Sequence, residues 1–488
     1  MGGFFGAAFN DDCVDSLFFG TDYHCHLGTR RGGMATVNQD GFSRYIHDIT
    51  NAQFRSKFES DIGKMSGRMG IGVISDYESQ PLLINSHLGS YAIATVGVVK
   101  NAEDLVKHAL DKRNHFSEMS GNEINQTELV ACLINQEESF VDGIKNAQEK
   151  IEGSCSLLIL AKDGIYAARD RLGRTPVVIG KAPQGYVVTM ENCAFPNLNC
   201  TTESYMGPGE QVFITAEGVE QKSPPGPDMQ ICSFLWIYYG YPASSYEGIN
   251  VERARYRCGA ALADREDVEI DCVAGIPDSG VAHAVGYAYR SRVRYCRPFV
   301  KYTPTWPRSF MPQDQTVRDL VAKMKLIPIP ELTKGQRVLF CEDSIVRGTQ
   351  LRDTIQRMYE YGAKEVHMRP ACPPLLYGCK FLNFSMSRNE LDLAGRRAFS
   401  ELENGDESKL QEYTDQFSDK YQAMVKRIGQ KMGLTTLRYQ RLDDMIKAIR
   451  MPEEKLCTYC WDGCDRPGKK NWSRSESLSE VIQPSTPR

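Results

Sequence analysis

Two hydrophobic rhythms divide the chain. Up to about residue 225, short apolar runs alternate with turn residues, as at 70–74 (Gly-Ile-Gly-Val-Ile), 156–160 (Ser-Leu-Leu-Ile-Leu), 185–189 and 211–215. Apolar runs of this length, separated by turns, predict strands. Residues 101–110 and 127–134 repeat their apolar positions at helical spacing and predict helices. Together they predict an α+β layered domain over 1–225. Lys222-Ser223-Pro224-Pro225-Gly226-Pro227 reads as a hinge. From 228 the rhythm changes to strand–helix alternation: strands at 271–276, 337–341 and 365–369, helices at 280–290 and 351–361. That order predicts an α/β domain over 228–465, with a mostly parallel sheet that binds ligands at the carboxyl ends of its strands. Residues 400–450 are charged and helical in pattern, and 466–488, rich in Ser, Pro and basic residues, predict a disordered tail. There are no internal repeats.

One strand end carries chemistry. In Arg337-Val338-Leu339-Phe340-Cys341-Glu342-Asp343-Ser344-Ile345-Val346-Arg347-Gly348-Thr349-Gln350 an apolar strand meets two adjacent carboxylates, and a Ser/Gly/Thr turn then opens a helix. The free N–H groups of such a turn, with the helix N-terminus behind them, can cradle a phosphate. The carboxylates only accept hydrogen bonds, which suits ribose hydroxyls or a hydrated divalent cation. Gly275-Ile276-Pro277-Asp278-Ser279-Gly280 is a second strand-end turn of this kind. For the run at 337–350 the bland alternative is an acidic surface turn.

Composition narrows the field. A net charge of −4 and a pI near 6.1 lack the basic footprint of a nucleic-acid or membrane-surface protein. No apolar stretch is long enough to span a bilayer. The first residues lack a secretory pattern, and Gly6 breaks a myristoylation motif. A cytoplasmic protein is expected. Of the 16 cysteines, Cys155, Cys272, Cys296 and Cys341 lie singly on apolar runs, as small buried hydrophobes do. Cys457-x-x-Cys460, with Cys464 close behind, has the spacing of a metal or cluster site.

The run at 337–350 resembles the phosphoribosyl pyrophosphate (PRPP) loop of type I phosphoribosyltransferases. Its wording Asp-Ser-Ile-Val-Arg-Gly-Thr resembles glutamine PRPP amidotransferases, the amidophosphoribosyltransferase family. The resemblance implies an N-terminal-nucleophile-like α+β domain followed by an α/β type I phosphoribosyltransferase domain. It also implies that phosphoribosyl passes from PRPP to ammonia, giving 5-phosphoribosylamine for purine synthesis. On this resemblance Glu342 and Asp343 hold ribose hydroxyls and Mg2+, with Ser279 as a further metal contact. Ser344, Ile345, Val346, Arg347, Gly348 and Thr349 cradle the 5-phosphate. Lys301 and Arg308, in a loop over 301–312 that departs from the family wording and carries three prolines, become the pyrophosphate clamps. Taken alone, both are as readily ordinary solvated charges. In the iron–sulfur members one cysteine follows the hinge, one follows a Pro-Pro segment, and two form a C-terminal C-x-x-C. Here these are Cys232, Cys379, Cys457 and Cys460, with Cys372 a nearby rival for Cys379. Four thiolates suit a [4Fe–4S] cluster, and on ligand count suit zinc equally; family position favours the cluster. Homo-oligomerisation and inhibition by purine nucleotides belong to the same expectation.

The first half lacks what the family uses to hydrolyse glutamine. Such a glutaminase needs an N-terminal cysteine, whose thiolate attacks the amide while its free α-amine acts as base. This chain has Gly2 at that position. Ser75 stands where the family has the arginine that holds the glutamine carboxylate. Residues 95–98 (Thr-Val-Gly-Val) replace the oxyanion-hole segment, putting Val96 at the asparagine. Gln126 replaces an acid that binds the substrate amine. Losing one oxyanion donor alone costs about 3–4 kcal/mol of transition-state stabilisation, so no glutaminase activity is expected. The alternative reading is a non-catalytic homologue that binds PRPP or nucleotides and regulates an active amidotransferase.

Overall fold

The computed structural model describes residues 2–302, 326–382 and 390–465, apart from the side chains of residues 349 and 350. Arg308, the Thr349 side chain, most of the 301–312 loop and the tail over 466–488 therefore lie outside the described residues.

The first half is built on two antiparallel sheets of seven and six strands. At the centre of the larger runs Gly2–Phe9, buried along its whole length and paired with Met69–Ser75 on one side and Gly185–Thr189 on the other. A strand covered on both faces needs no polar alternation, which is why this one reads as a continuous apolar run. Its alternate residues serve different layers. Phe4 and Ala8 pack with Ala92, Val96 and Leu158 of the second sheet to form the inter-sheet core. Phe5, Ala7 and Phe9 face the helices Val14–Asp22 and Phe54–Ile62. Helices Gln126–Ile134 and Phe140–Lys150 cover the outer face of the second sheet through Leu129, Val130, Leu133 and Ile144. The half is a helix–sheet–sheet–helix sandwich. Each fully buried large apolar side chain contributes about 1.5–3 kcal/mol.

The second half centres on a parallel sheet with Cys272–Gly275, Arg337–Glu342, Glu365–Pro370 and Thr436–Leu437 in adjacent order. Helices Val281–Ser291 and Thr349–Glu360 follow the first two strands, as alternation predicts. Because the strands are parallel and in register, the ends of Cys272–Gly275 and Arg337–Glu342 come out together. A second core, around Ile231, Trp236, Tyr246, Leu375 and Trp461, joins the chain after the hinge to its C-terminal segment. The short strands Ile231–Cys232 and Leu456–Cys457 pair in parallel there, Cys232 opposite Cys457. Among the described residues no helix is long and apolar enough to cross a membrane.

Candidate functional site

The two strand-end turns meet. Glu342 and Asp343 are both buried, and Glu342 Oε1 accepts hydrogen bonds from Ser279 Oγ (3.3 Å) and from the Asp343 amide (3.2 Å). Asp343 Oδ1 accepts from Ser344 Oγ at 2.6 Å. Burial, and then the neighbouring Asp343 carboxylate, push the Glu342 carboxyl well above the usual range. Two carboxylates held this close favour a proton or a cation between them. The turn over 344–348 leads directly into the helix Thr349–Glu360. Gly348 caps it with φ +75, a left-handed conformation that favours glycine. Ile345 is buried, Val346 O accepts from the Ala394 amide, and Arg347 lies 3.4 Å from Asp392. Lys301 forms an ion pair with Asp278, close to the Ser279 turn. Buried Arg255 was not singled out from the sequence: it binds the Trp236, Tyr238 and Gly240 carbonyls and its charge reaches Asp343.

The predicted cysteines also converge. Cys232, Cys379, Cys457 and Cys460 line one small cavity with Arg174, Phe234, Phe381, Leu382 and Tyr459. The rival Cys372 does not line it and is buried in the adjoining apolar core. Among the described residues no three His, Cys, Asp or Glu side chains are grouped closely enough to hold a single metal ion. Contact with Cys379 and burial push the Cys460 thiol well up. Burial also raises Cys457, partly offset by the positive charge of Arg174. Arg174 was not singled out from the sequence, yet its Nη1 donates to Cys457 Sγ at 3.0 Å.

At the start of the chain, Gly2 pairs with Ser75 across adjacent strands, and a Cβ on Gly2 would lie 2.2 Å from the Ile74 carbonyl oxygen. Ser75 Oγ already accepts from the Tyr77 and Glu78 amides. Val96 is buried in the inter-sheet core with Phe4. Gln126 Oε1 accepts from the Val99 amide at 3.1 Å. Beside Val96, Thr95, Gln80 and Thr127 bond one another in a closed buried network.

A parallel-sheet domain with a carboxylate pair and a phosphate-type turn at its strand ends, behind a helix–sheet–sheet–helix domain, defines a phosphoribosyltransferase joined to a glutamine-amidotransferase-like domain. Residues 67–196 match the family model described as a glutamine amidotransferase domain. The chain is 29% identical over 471 residues to the amidophosphoribosyltransferase of Bacillus subtilis, covering 94% of this chain and 92% of that one. It is 30% identical over 385 residues to that of Archaeoglobus fulgidus, covering 78% of each. A solved structure of the B. subtilis glutamine PRPP amidotransferase, complexed with ADP and GMP, superposes with a TM-score of 0.81 at 27% identity, over 95% of this chain and 97% of that one. The chain belongs to the amidophosphoribosyltransferase family. Its fold is accordingly an N-terminal-nucleophile-like α+β domain followed by an α/β type I phosphoribosyltransferase domain.

Proposed function

We propose that this protein is a transferase that binds PRPP with magnesium and passes its phosphoribosyl group to ammonia, giving 5-phosphoribosylamine for purine synthesis, without a glutaminase of its own. The observation that carries the transferase reading is the meeting of Ser279, Glu342 and Asp343 at the ends of two paired parallel strands, directly before the phosphate-type turn. Asp343 and Glu342 hold the ribose hydroxyls and the metal, and the amides of 344–349 take the 5-phosphate. Magnesium, when bound, neutralises the leaving pyrophosphate. Lys301 exchanges Asp278 for phosphate oxygens, and Arg308 is the second clamp. The nitrogen lone pair of ammonia forms the new bond to the anomeric carbon as the bond to pyrophosphate breaks, and the product amine releases a proton. The ADP and GMP of the B. subtilis complex support purine nucleotides as inhibitors. As in part of the family, Cys232, Cys379, Cys457 and Cys460 hold a [4Fe–4S] cluster. The four line one shared cavity, and family position favours the cluster over zinc, which four thiolates suit equally on ligand count. The protein acts as a homo-oligomer in the cytoplasm.

Loss of glutamine hydrolysis is read from Gly2, Ser75, Val96 and Gln126 together: one has no room for a side chain, and the others are spent on backbone bonds or core packing. The test is pyrophosphate release from PRPP and magnesium with ammonium as acceptor. Turnover supports the transferase. PRPP binding without turnover would replace it with the regulatory homologue.

A further inference from the structure

The N-terminal half reaches into the cysteine site, and a domain stripped of its glutaminase groups has a use there. The Arg174 carbonyl accepts from the Cys232 amide at 3.1 Å, and the Leu172 carbonyl accepts from the Gln230 amide at 2.7 Å. The Arg174 side chain then turns inward. It is 2% exposed, donates from Nη1 to Cys457 Sγ at 3.0 Å, and its guanidinium carbon lies 3.4 Å from the centre of the Phe381 ring. Among the described cationic side chains, it is the one that lines the cysteine cavity. Arg174 also lines a larger cavity of about 240 Å³, whose other walls include Gln148, Cys155, Asp170, Phe381 and Asp465. Arg174 and Phe381 border both cavities, so they form the partition between that cavity and the sulfurs.

We propose that Arg174 is a positioning residue for the cluster: it sets the reduction potential and plugs the cavity through which solvent and dioxygen would reach the sulfurs. The proposal rests on the [4Fe–4S] reading above. Net charge, hydrogen bonds to sulfur and solvent exposure are the protein's controls on such a potential, and Arg174 acts on all three. Adding an electron makes the centre more negative. A buried guanidinium bonded to a ligand sulfur favours that state, because a charge held in a dry environment is weakly screened. Removing it lowers the potential. Removing its volume as well joins the two cavities.

The test uses the full chain, purified and loaded without air, with iron per chain, potential and bleaching rate in air all measured. In the potential titration dithionite supplies one electron and no bond is made or broken. Arg174→Met keeps the bulk and loses the charge and the N–H donor. It should keep its iron, shift the one-electron equilibrium about tenfold toward the oxidised form (about 59 mV) and bleach only slightly faster. Arg174→Ala should show the same shift and bleach several-fold faster. Arg171→Gln, at the exposed mouth of the larger cavity, should change neither. Should the apolar variants fail to load, Arg174→Lys carries the test. An ammonium cannot make the planar stack on Phe381 while reaching Cys457, so its potential should fall below that of the unmodified protein. Potentials unmoved in the variants, or equal bleaching in Arg174→Met and Arg174→Ala, overturn the proposal while leaving the cluster reading intact. Unmodified protein without iron overturns both.

Discussion

Position 2 is the residue on which the proposed loss of glutamine hydrolysis turns, and the structure adds crowding to the missing thiol. A Cβ there would sit 2.2 Å from the Ile74 carbonyl oxygen. Gly2→Cys should therefore fail to release glutamate from glutamine and should destabilise the protein by about 1–3 kcal/mol through overpacking. A glutamate-release assay alongside a urea melt checks both, and restored hydrolysis would contradict the account. At the strand end the two carboxylates differ. Asp343 lies directly before the phosphate-type turn, and Glu342 one residue further back. Glu342→Gln should therefore weaken magnesium-dependent PRPP binding less than Asp343→Asn does. Asp343→Asn removes charge-assisted contacts worth about 1.5–3 kcal/mol each, so calorimetry should show binding at least about tenfold weaker. The reverse ranking would make Glu342 the stronger contact of the two.

At the scale of elements, the helix Val14–Asp22 is tied to the central sheet by His24. Its ring bonds the Gly20 carbonyl at 2.9 Å and Thr189 Oγ1 at 3.0 Å. Burial, only partly opposed by the Glu191 charge, lowers this imidazole from 6.5 to about 4. Above pH 6.5 it is neutral folded and unfolded. Between 6.5 and 4 the unfolded chain takes up a proton that the folded one refuses, so stability falls as pH falls. About 2 kcal/mol of the loss between pH 7 and 5 should be absent in His24→Gln, read from urea midpoints. Parallel slopes in the two proteins would remove His24 from the account. The pair Ile231–Cys232 and Leu456–Cys457 makes a second link. On the proposed cluster reading, Cys457→Ser should fall from about four iron per chain to below one and melt at a lower temperature. Unchanged iron would exclude Cys457 as a ligand. Elements with a strong period were legible in the sequence. The predicted strand at 337–341 is Arg337–Glu342, and the predicted helix at 280–290 is Val281–Ser291. The fourth sheet strand, Thr436–Leu437, was not, because two residues carry no period and their pairing depends on the neighbouring strand.

Across the whole molecule, the sequence makes visible which chemical groups are present and which are missing; it does not make visible what lies beside them. The carboxylate turn was legible because its residues are contiguous. Cys457 and Cys460 were legible by their spacing, whereas Cys232 and Cys379 were joined to them only through family position, since no spacing links residues so far apart. Arg174 and Cys457 are 283 positions apart, and nothing local marks that arginine for a sulfur. The proposed function makes this a transferase that takes its ammonia from outside. The most direct test is an isotope competition: PRPP and magnesium with unlabelled ammonium and amide-15N glutamine in one vessel, reading the nitrogen of the 5-phosphoribosylamine formed. The account predicts steady product with no 15N in it. Product carrying 15N under conditions where glutamine is stable in buffer would contradict it.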